Sequence, residues 1–376
     1  MSSPALPDLS GLVALAREQS LDLRPILLRV QTDLFVAAPS RDQETLAAFE
    51  ALALGFLAVV DDETAGIVAR KLAPLADTPP RVVEALLARG GEARRTVIER
   101  LPQLPHAAAM RALADDPGLA PVLAARADLG AAMLTELLGR GEEAVDMALA
   151  RNTAVALGRA LHRLIDRGRG RPPLAAALLA RADLGVSDEA VLYVHADAQR
   201  RARIRERLQS HAPLVAASKP ASPRAGDAIH ADLLVQAAQG DAAGFRAVLA
   251  GALGAVPTPD ALWALDAEAS RELVALALVA VGLASEDVIR IFLMLDRGVA
   301  CSVEAVFHLA QIARATPRAV ALYLTEATLD VAVGRPLARH VPLLDAGATP
   351  DWGQPSSRLA PARSASAAYG RSLKAG

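Results

Sequence analysis

One row of arginines has the spacing of a binding surface. Arg159, Arg163 and Arg167 are four residues apart, so a helix would place them on one face, and Arg169 and Arg171 extend the row into the following turn. Guanidinium groups bind carboxylates and phosphates through paired hydrogen bonds. We therefore predict an anion or acidic-partner site along this row. The alternative is a solvated helix face whose charges are balanced by nearby acids.

A second and weaker basic patch precedes a segment rich in Pro, Ser and Ala. Its five arginines share one predicted helix: Arg200, Arg201, Arg203, Arg205 and Arg207. Proteins that bind single-stranded nucleic acid usually add aromatic side chains that stack on the bases. Here Tyr193 is the only ring nearby, and the formal net charge is −2. The sequence therefore favours an exposed terminal helix whose arginines offset the negative helix end, and nucleic-acid binding is not expected.

The sequence lacks the common motifs of catalysis and cofactor binding. It contains no Gly-Lys-Ser or Gly-Lys-Thr phosphate loop, no dinucleotide fingerprint and no serine nucleophile elbow. No two histidines are three or four residues apart, so no helix would present a histidine pair to a metal. We predict no catalytic residue, no cofactor and no metal. An enzyme whose site is assembled from residues distant in the sequence remains an alternative.

Other reactive groups are interpreted as structural. The acidic clusters Asp61–Glu63 and Asp115–Asp116 precede predicted helices, where a carboxylate accepts hydrogen bonds from free backbone amides. Cys301 cannot form an intramolecular disulfide because the chain has a single cysteine. Its place at the start of a predicted helix indicates a buried or capping thiol rather than a nucleophile.

Helices are the elements that must position these groups. Hydrophobic residues make up 53% of the 376 residues and aromatic residues only 3%, so Ala, Leu and Val carry the apolar content. The alternation typical of strands is not sustained anywhere. In contrast, Asp77–Pro80 is a helix start signal, and a helical apolar stripe follows it: Val82, Val83, Leu86 and Leu87. We predict an all-α protein without significant β-sheet.

Internal similarity predicts a repeat. The segments LLARGG, VLAARADLG and LLARADLG each contain an arginine, at Arg89, Arg126 and Arg181, and these arginines are 37 and 55 residues apart. The distances are roughly one and one and a half periods of a HEAT-like helix pair. A single helix pair cannot bury its apolar face, so consecutive pairs should stack. We predict HEAT-like antiparallel helix pairs stacked as a right-handed α-solenoid.

Composition divides the chain into four stretches. Pro, Ser and Ala between two helical regions indicate a linker, and the last part of the chain is rich in Gly, Pro, Ser and Ala without an apolar period. We predict an N-terminal helical-repeat domain at 1–210, a linker at 211–226, a C-terminal helical domain at 227–345 and a disordered tail at 346–376.

The sequence also bears on compartment and assembly. The most apolar window is interrupted by Gly282, Ser285, Glu286 and Asp287, which predicts two buried helices rather than a membrane span. The N-terminus does not resemble a secretory signal, so we expect a cytoplasmic protein. The apolar region Leu273–Leu295 is typical of either a domain core or a dimer face, and homo-oligomerisation stays open.

Several helical segments resemble a known family. They include TDLF from Thr32, LAPLADTPPRVVEALL from Leu72, APVLAARADLG from Ala120 and LLARADLGVSDEAVLYV from Leu178. These segments are similar to the mainly alphaproteobacterial helical-repeat proteins that share the domain of unknown function 2336, and the resemblance covers most of the chain. It implies an α-helical repeat fold in a bacterial protein, with no assigned reaction and no catalytic residue. The turn RGRGRPP from Arg167 is more basic than expected for this family.

Together these observations favour a non-catalytic protein-interaction scaffold or regulatory adaptor whose partner is a protein. The first alternative is a sensor or binder of a phosphate-bearing ligand or nucleic acid that uses the row from Arg159 to Arg171. The second alternative is an enzyme with an unrecognised site.

Overall fold

The computed structural model describes residues 22–211, 226–254 and 267–331. Every regular element in these ranges is helical, and none of the described residues lies in a strand. The all-α prediction is confirmed. The predicted linker at 211–226 lies almost entirely outside the described residues, as do the predicted tail and His340.

The range 22–211 contains thirteen α-helices. They are α1 (Arg24–Ala37), α2 (Gln43–Leu57), α3 (Asp62–Leu72), α4 (Pro80–Arg89), α5 (Gly91–Arg100), α6 (His106–Asp115), α7 (Ala120–Ala124), α8 (Ala131–Arg140), α9 (Glu143–Arg151), α10 (Ala160–Gly168), α11 (Pro172–Leu179), α12 (Val186–Val191) and α13 (Ala198–Ser210). Two short 3₁₀ helices, Pro117–Leu119 and Tyr193–His195, precede α7 and α13.

Seven further helices lie in the remaining described ranges. They are α14 (Asp227–Ala238), α15 (Ala242–Leu253), α16 (Glu268–Val281), α17 (Ser285–Leu295), α18 (Arg297–Ala300), α19 (Val303–Ala315) and α20 (Arg318–Leu329). The described helices all belong to one compact unit, Met1–Arg335. A second unit, Pro336–Gly376, lies outside the described residues.

Alternate helices of the first range pack against one another. Helix α1 contacts α3, α3 contacts α5, α5 contacts α7, α7 contacts α9, and α9 contacts α11. The intervening helices contact their neighbours along the chain, as α4 does with α5 and α10 with α11. The hydrophobic core therefore continues from one helix pair to the next.

The helix start predicted at Asp77–Pro80 is correct in position but not in its cap. Pro80 is the first residue of α4, and the stripe Val82, Val83, Leu86 and Leu87 is buried as predicted. Thr78 does not cap the helix, because its hydroxyl donates a 2.7 Å hydrogen bond to the carbonyl of Leu72. The residue at the cap position is Pro79, which has no side-chain oxygen to offer.

The predicted roles of single acids and of the thiol have different outcomes. Asp61 caps α3 by accepting from the Thr64 amide at 2.7 Å, and Asp116 accepts from the Gly118 amide at 3.0 Å. Both capping predictions are confirmed. The prediction of a buried thiol is wrong, because Cys301 is exposed. It follows the last residue of α18, and Ser302 caps α19 instead.

The three repeated arginines make the same contact in three places. The Arg89 guanidinium donates to the carbonyls of Leu57 and Val60 at the end of α2. That of Arg126 donates to the carbonyls of Ile98 and Leu101 at the end of α5.

The third arginine follows the same rule. Arg181 reaches the carbonyls of Asn152 and Val155 just beyond α9, at 2.6 and 2.9 Å. Carbonyls at a helix end have no partner within the helix. Each repeated arginine therefore satisfies the end of an earlier helix with a cation, which the helix dipole also favours.

Helix α16 forms the centre of the second half. All nine residues of Leu273–Val281 are buried, and α16 packs against α19 and α20. Gly282 ends the helix with a φ of +102°, a backbone conformation that glycine adopts without strain. The predicted interruption of the apolar window is confirmed, and Leu273–Val281 is a core segment. No helix among the described residues has the length and apolarity to cross a bilayer.

The two predicted helical domains contact each other within this unit. Helices α12 and α13 pack against α20, and the turn Tyr193–His195 packs against α16. The side chains at this junction include polar and charged groups, among them Arg169 of the first basic patch and Arg201 and Arg205 of the second.

Candidate functional site

The structure places Arg167 and Arg171 around a buried acid. Both donate to the Asp146 carboxylate of α9, Arg167 to Oδ1 and Arg171 to Oδ2 at 2.9 Å, and Asp146 is fully buried. Arg167 also donates to the carbonyl of Leu138 at the end of α8. A buried carboxylate requires such cationic partners. These two arginines therefore stabilise the packing of α8, α9 and α10.

Arg169 points to a different helix end. Its Nη1 donates to the carbonyls of Ala327 and Thr328 at the end of α20, at 2.7 and 2.8 Å. Its other guanidinium nitrogens lie 4.0 Å from Asp166 and 3.9 Å from Asp330. Arg169 therefore links the first half of the unit to the last described helix.

Arg159 and Arg163 form the part of the predicted row that stays exposed; they are named the arginine pair below. Arg159 immediately precedes α10, and Arg163 lies one turn later. Neither makes a hydrogen bond or an ion pair with any residue in the described ranges. The interpretation of a locally balanced face thus fits Arg167, Arg169 and Arg171, but it does not fit the arginine pair.

Four of the five arginines of the second basic patch form ion pairs within the unit. Arg200 and Arg207 donate to the two oxygens of Glu189 on α12, at 2.6 and 2.5 Å. The prediction of an exposed helix is wrong for Arg201, which is buried because α13 packs its inner side against α12 and α20. Within the described ranges Arg203 is exposed without an ion pair.

A buried carboxylate, Glu272 on α16, collects four donors; with them it is named the Glu272 cluster. Its Oε1 accepts from Arg201 Nη2 at 3.0 Å and lies 2.8 Å from His308 Nε2. Its Oε2 accepts from Tyr193 Oη at 2.7 Å and from Arg205 Nη1 at 2.6 Å. The donors come from the 3₁₀ turn, α13 and α19. One carboxylate therefore ties together elements from both predicted domains.

The charges of the Glu272 cluster shift two pKa values in opposite senses. Burial alone raises the pKa of Glu272, but hydrogen bonds and charge from Arg201 and Arg205, with those from His308 and Tyr193, outweigh it and bring the pKa to about 2. Burial, followed by the negative charge of Glu272, raises the pKa of the Tyr193 hydroxyl. The cluster therefore holds a carboxylate anion beside a neutral phenol.

The cluster also contains the elements of two catalytic arrangements. A carboxylate that holds one ring nitrogen of a histidine can orient a general base. Glu268, Glu272 and His308 moreover offer ligand atoms within 4.8 Å of one another, as a metal site would. However, Arg201 donates to both glutamates, to Glu268 at 2.7 Å. A metal cation there would face the guanidinium charges of Arg201 and Arg205 and a Glu272 carboxylate whose two oxygens already have donors, so the geometry does not fit a metal.

Two surface clefts lie away from both features. One, of about 310 Å³, lies between α4 and α6 and is lined by Leu87, Ala108 and the ion pair of Arg94 and Asp115. The other, of about 290 Å³, is lined by His106, Leu123 and Met133. Neither the arginine pair nor any residue of the Glu272 cluster lines these two clefts.

Sequence reasoning missed Glu272, Tyr193 and His308 as a group. The available signal was a single carboxylate immediately before the apolar run that begins at Leu273, since an acid next to a buried run must find buried donors. Comparisons with protein-family models, curated proteins and solved structures find no match for this chain. The family resemblance and the functional interpretation stay predictions.

Proposed function

We propose that this protein is a non-catalytic interaction scaffold or regulatory adaptor, and that it binds an acidic segment of a partner protein through Arg159 and Arg163. The observation that carries the proposal is that the arginines of the predicted row differ in whether they have a partner within the protein. Three of its arginines are engaged with internal carbonyls and carboxylates, whereas the arginine pair is exposed one turn apart without a described partner.

The electrostatics of the arginine pair favour an acidic ligand. Two like charges four residues apart on a helix destabilise it by a few tenths of a kcal/mol, which an opposite charge relieves. The pair also sits at the start of α10, where the helix dipole adds partial positive charge. Carboxylates of a partner would bind there through charge-assisted hydrogen bonds.

The packing of the helices supports a scaffold. Rows of alternating helices, from α1 to α11, are consistent with HEAT-like pairs stacked as a right-handed solenoid. The repeated contacts of Arg89, Arg126 and Arg181 support the same arrangement. Solenoids expose long surfaces suited to extended partners. With the family resemblance, this favours an adaptor of the bacterial cytoplasm.

The chemistry of the Glu272 cluster supports a non-catalytic role. A general base must be free to accept a proton. Each oxygen of Glu272 instead has two donors, and the low pKa keeps the carboxylate ionised in the presence of Arg201 and Arg205, so Glu272 itself does not serve as the base. This pattern is typical of a structural ion cluster that joins packed helices.

The proposal is tested by affinity capture from the native extract, with and without nuclease, followed by direct binding of the purified partner over a salt series. Wild-type protein is compared with Arg159→Glu/Arg163→Glu. A matched control, Arg100→Glu/Arg203→Glu, makes the same charge change at two exposed arginines that have no ion pair in the described ranges. We expect loss of an acidic protein partner in the first variant and its retention in the control.

Three results would overturn the proposal. Equal loss in both variants would indicate a general charge effect. A partner retained by both variants would place the interface elsewhere. Nuclease-sensitive binding, or binding of inorganic phosphate that the first variant alone loses, would favour the phosphate-bearing ligand instead.

A further inference from the structure

The outer side of α19 exposes two large apolar side chains. Val303 is 73% exposed and Phe307 is 71% exposed, the highest values among the exposed large hydrophobic residues of the described ranges. They are four residues apart and therefore lie on one face. Leu293 and Met294 of α17, which packs against α19, are also exposed. Apolar side chains grouped in this way mark a surface that another molecule covers.

The exposed residues of α19 form one continuous face. At 3.6 residues per turn they fall within an arc of about 120°: Val303, Glu304, Phe307, Gln311, Arg314 and Ala315. The buried residues Leu309, Ile312 and Ala313 lie on the opposite side, towards α16 and α17. This set of six exposed residues is named the α19 face below.

The α19 face is self-complementary. Its members are placed symmetrically about position 309, so two antiparallel copies would set Val303 opposite Ala315, and Phe307 opposite Gln311. The same register sets Glu304 of each copy opposite Arg314 of the other, which gives two identical ion pairs. In a twofold dimer the same patch of each subunit must be its own complement.

We propose that the α19 face is a homodimer interface, in which α19 packs antiparallel against α19 of a second copy. Phe307 and its symmetry mate lie beside the twofold axis and bury their rings there. The Glu304 and Arg314 pairs lie at the two ends of the contact. This interface is separate from the arginine pair, and the proposal goes beyond the proposed function without depending on it.

The energetic roles of the two kinds of contact differ. Burial of Phe307 and Val303 supplies the attraction, because aromatic side chains dominate interface energetics. The ion pairs at the ends add little affinity by themselves, but they set the register and reject parallel pairing. The pKa of Glu286 on α17 is lowered mainly by hydrogen bonds from its own backbone amide and from Ser285, and the charge of Arg314 adds to this at longer range.

The test is sedimentation velocity of the full chain over a concentration series. We expect a reversible wild-type dimer. Glu304→Arg alone gives four arginines and Arg314→Glu alone gives four glutamates at the interface ends, so each should weaken the dimer about tenfold or more. An equimolar mixture of the two variants pairs arginines with glutamates at both ends. The mixture should therefore form a heterodimer close to wild-type affinity.

Phe307→Asp should abolish the dimer, whereas Val59→Asp, at another exposed apolar residue, should leave it intact. Circular dichroism of each variant establishes that it is folded. Three results would overturn the proposal: a monomeric wild type at all concentrations, a dimer insensitive to Phe307→Asp, or a mixture no stronger than the single charge variants. A wild-type monomer would mean that another occupant, such as a different protein, covers the α19 face.

Discussion

The Tyr193 hydroxyl donates a 2.7 Å hydrogen bond to Glu272 Oε2, across 79 residues of sequence. Both side chains are fully buried, and they join the turn before α13 to the second turn of α16. A buried carboxylate is stable only when several donors replace the water it has lost. The Glu272 cluster meets this requirement, and its integrity should govern how the two halves of the unit hold together.

Replacement of the buried carboxylate should be strongly destabilising. Glu272→Gln removes the negative charge between Arg201 and Arg205. It leaves the Arg205 guanidinium in the interior without an ion-pair partner among the described residues, and it leaves Arg201 with the exposed Glu268 alone. We expect a loss of about 3 kcal/mol or more in the free energy of unfolding, measured by urea denaturation. The control is Glu268→Gln, because the Glu268 side chain is 58% exposed and its loss should cost less than about 1 kcal/mol. Equal losses would contradict a special role for Glu272.

Removal of the phenol hydroxyl should have a smaller effect. Tyr193→Phe keeps the ring in the core and deletes the hydrogen bond to Glu272, so we expect a loss of about 1–2 kcal/mol. Because both residues share one network, their effects should not add. Urea denaturation of both single variants and of the double variant measures this coupling. Additive losses would show that the hydroxyl and the carboxylate act independently.

The Glu272 cluster should also make the free energy of unfolding depend on pH in the acidic range. The pKa of Glu272 is about 2 in the folded protein, compared with its ordinary value of 4.5. A depressed pKa contributes stability that is fully present above the ordinary value and is lost as pH falls from about 4.5 towards 2. The shift corresponds to about 3 kcal/mol. Urea titrations at pH 6, 4 and 3 should show a smaller loss in Glu272→Gln than in wild type, and parallel pH profiles would contradict the assignment.

Local sequence patterns were enough to predict where these helices begin and end, because each helix end depends on a few adjacent residues. The stripe from Val82 to Leu87 and the end of α16 at Gly282 follow from periodicity and backbone freedom alone. Periodicity also placed Arg163 and Arg167 correctly on one helix, α10, with Arg159 at its N-terminal cap position.

The partners of these residues could not be predicted in the same way. Arg167 reaches Asp146 across 21 residues, and Arg201 reaches Glu272 across 71 residues. Which acid pairs with which arginine depends on how the helices pack. Helical periodicity predicts the face on which a residue lies, but it does not predict which other helix packs against that face. The internal contacts of Arg167 and the exposure of Arg163 are for this reason findings of the structure.

The repeated arginines should contribute to stability through the helix ends they satisfy. Arg126→Ala deprives the carbonyls of Ile98 and Leu101 of their donors in a buried setting, and we expect a loss of about 1–3 kcal/mol. Arg100→Ala, at the exposed end of α5, should change stability by less than about 0.5 kcal/mol. Thermal and urea denaturation of both variants would measure the two stability losses and compare them. Similar small effects would show that the repeated contact is not a stabilising device.

Charge reversal should destabilise the protein in one part of the predicted arginine row and leave its stability unchanged in the other. Arg167→Glu places a carboxylate against the buried Asp146, whose only other charged partner is Arg171 among the described residues, so we expect a loss of about 3 kcal/mol or more. Arg159→Glu/Arg163→Glu changes exposed side chains and puts acids near the start of α10, where the helix dipole favours them.

The double variant should therefore keep its stability within about 0.5 kcal/mol of wild type. Urea denaturation of both proteins, with circular dichroism to follow helix content, provides the comparison. If the double variant unfolds as easily as Arg167→Glu, the arginine pair is structural and the proposed partner site is lost. If the double variant is as stable as wild type and fails to capture the partner, Arg159 and Arg163 contribute to binding and not to the stability of the fold.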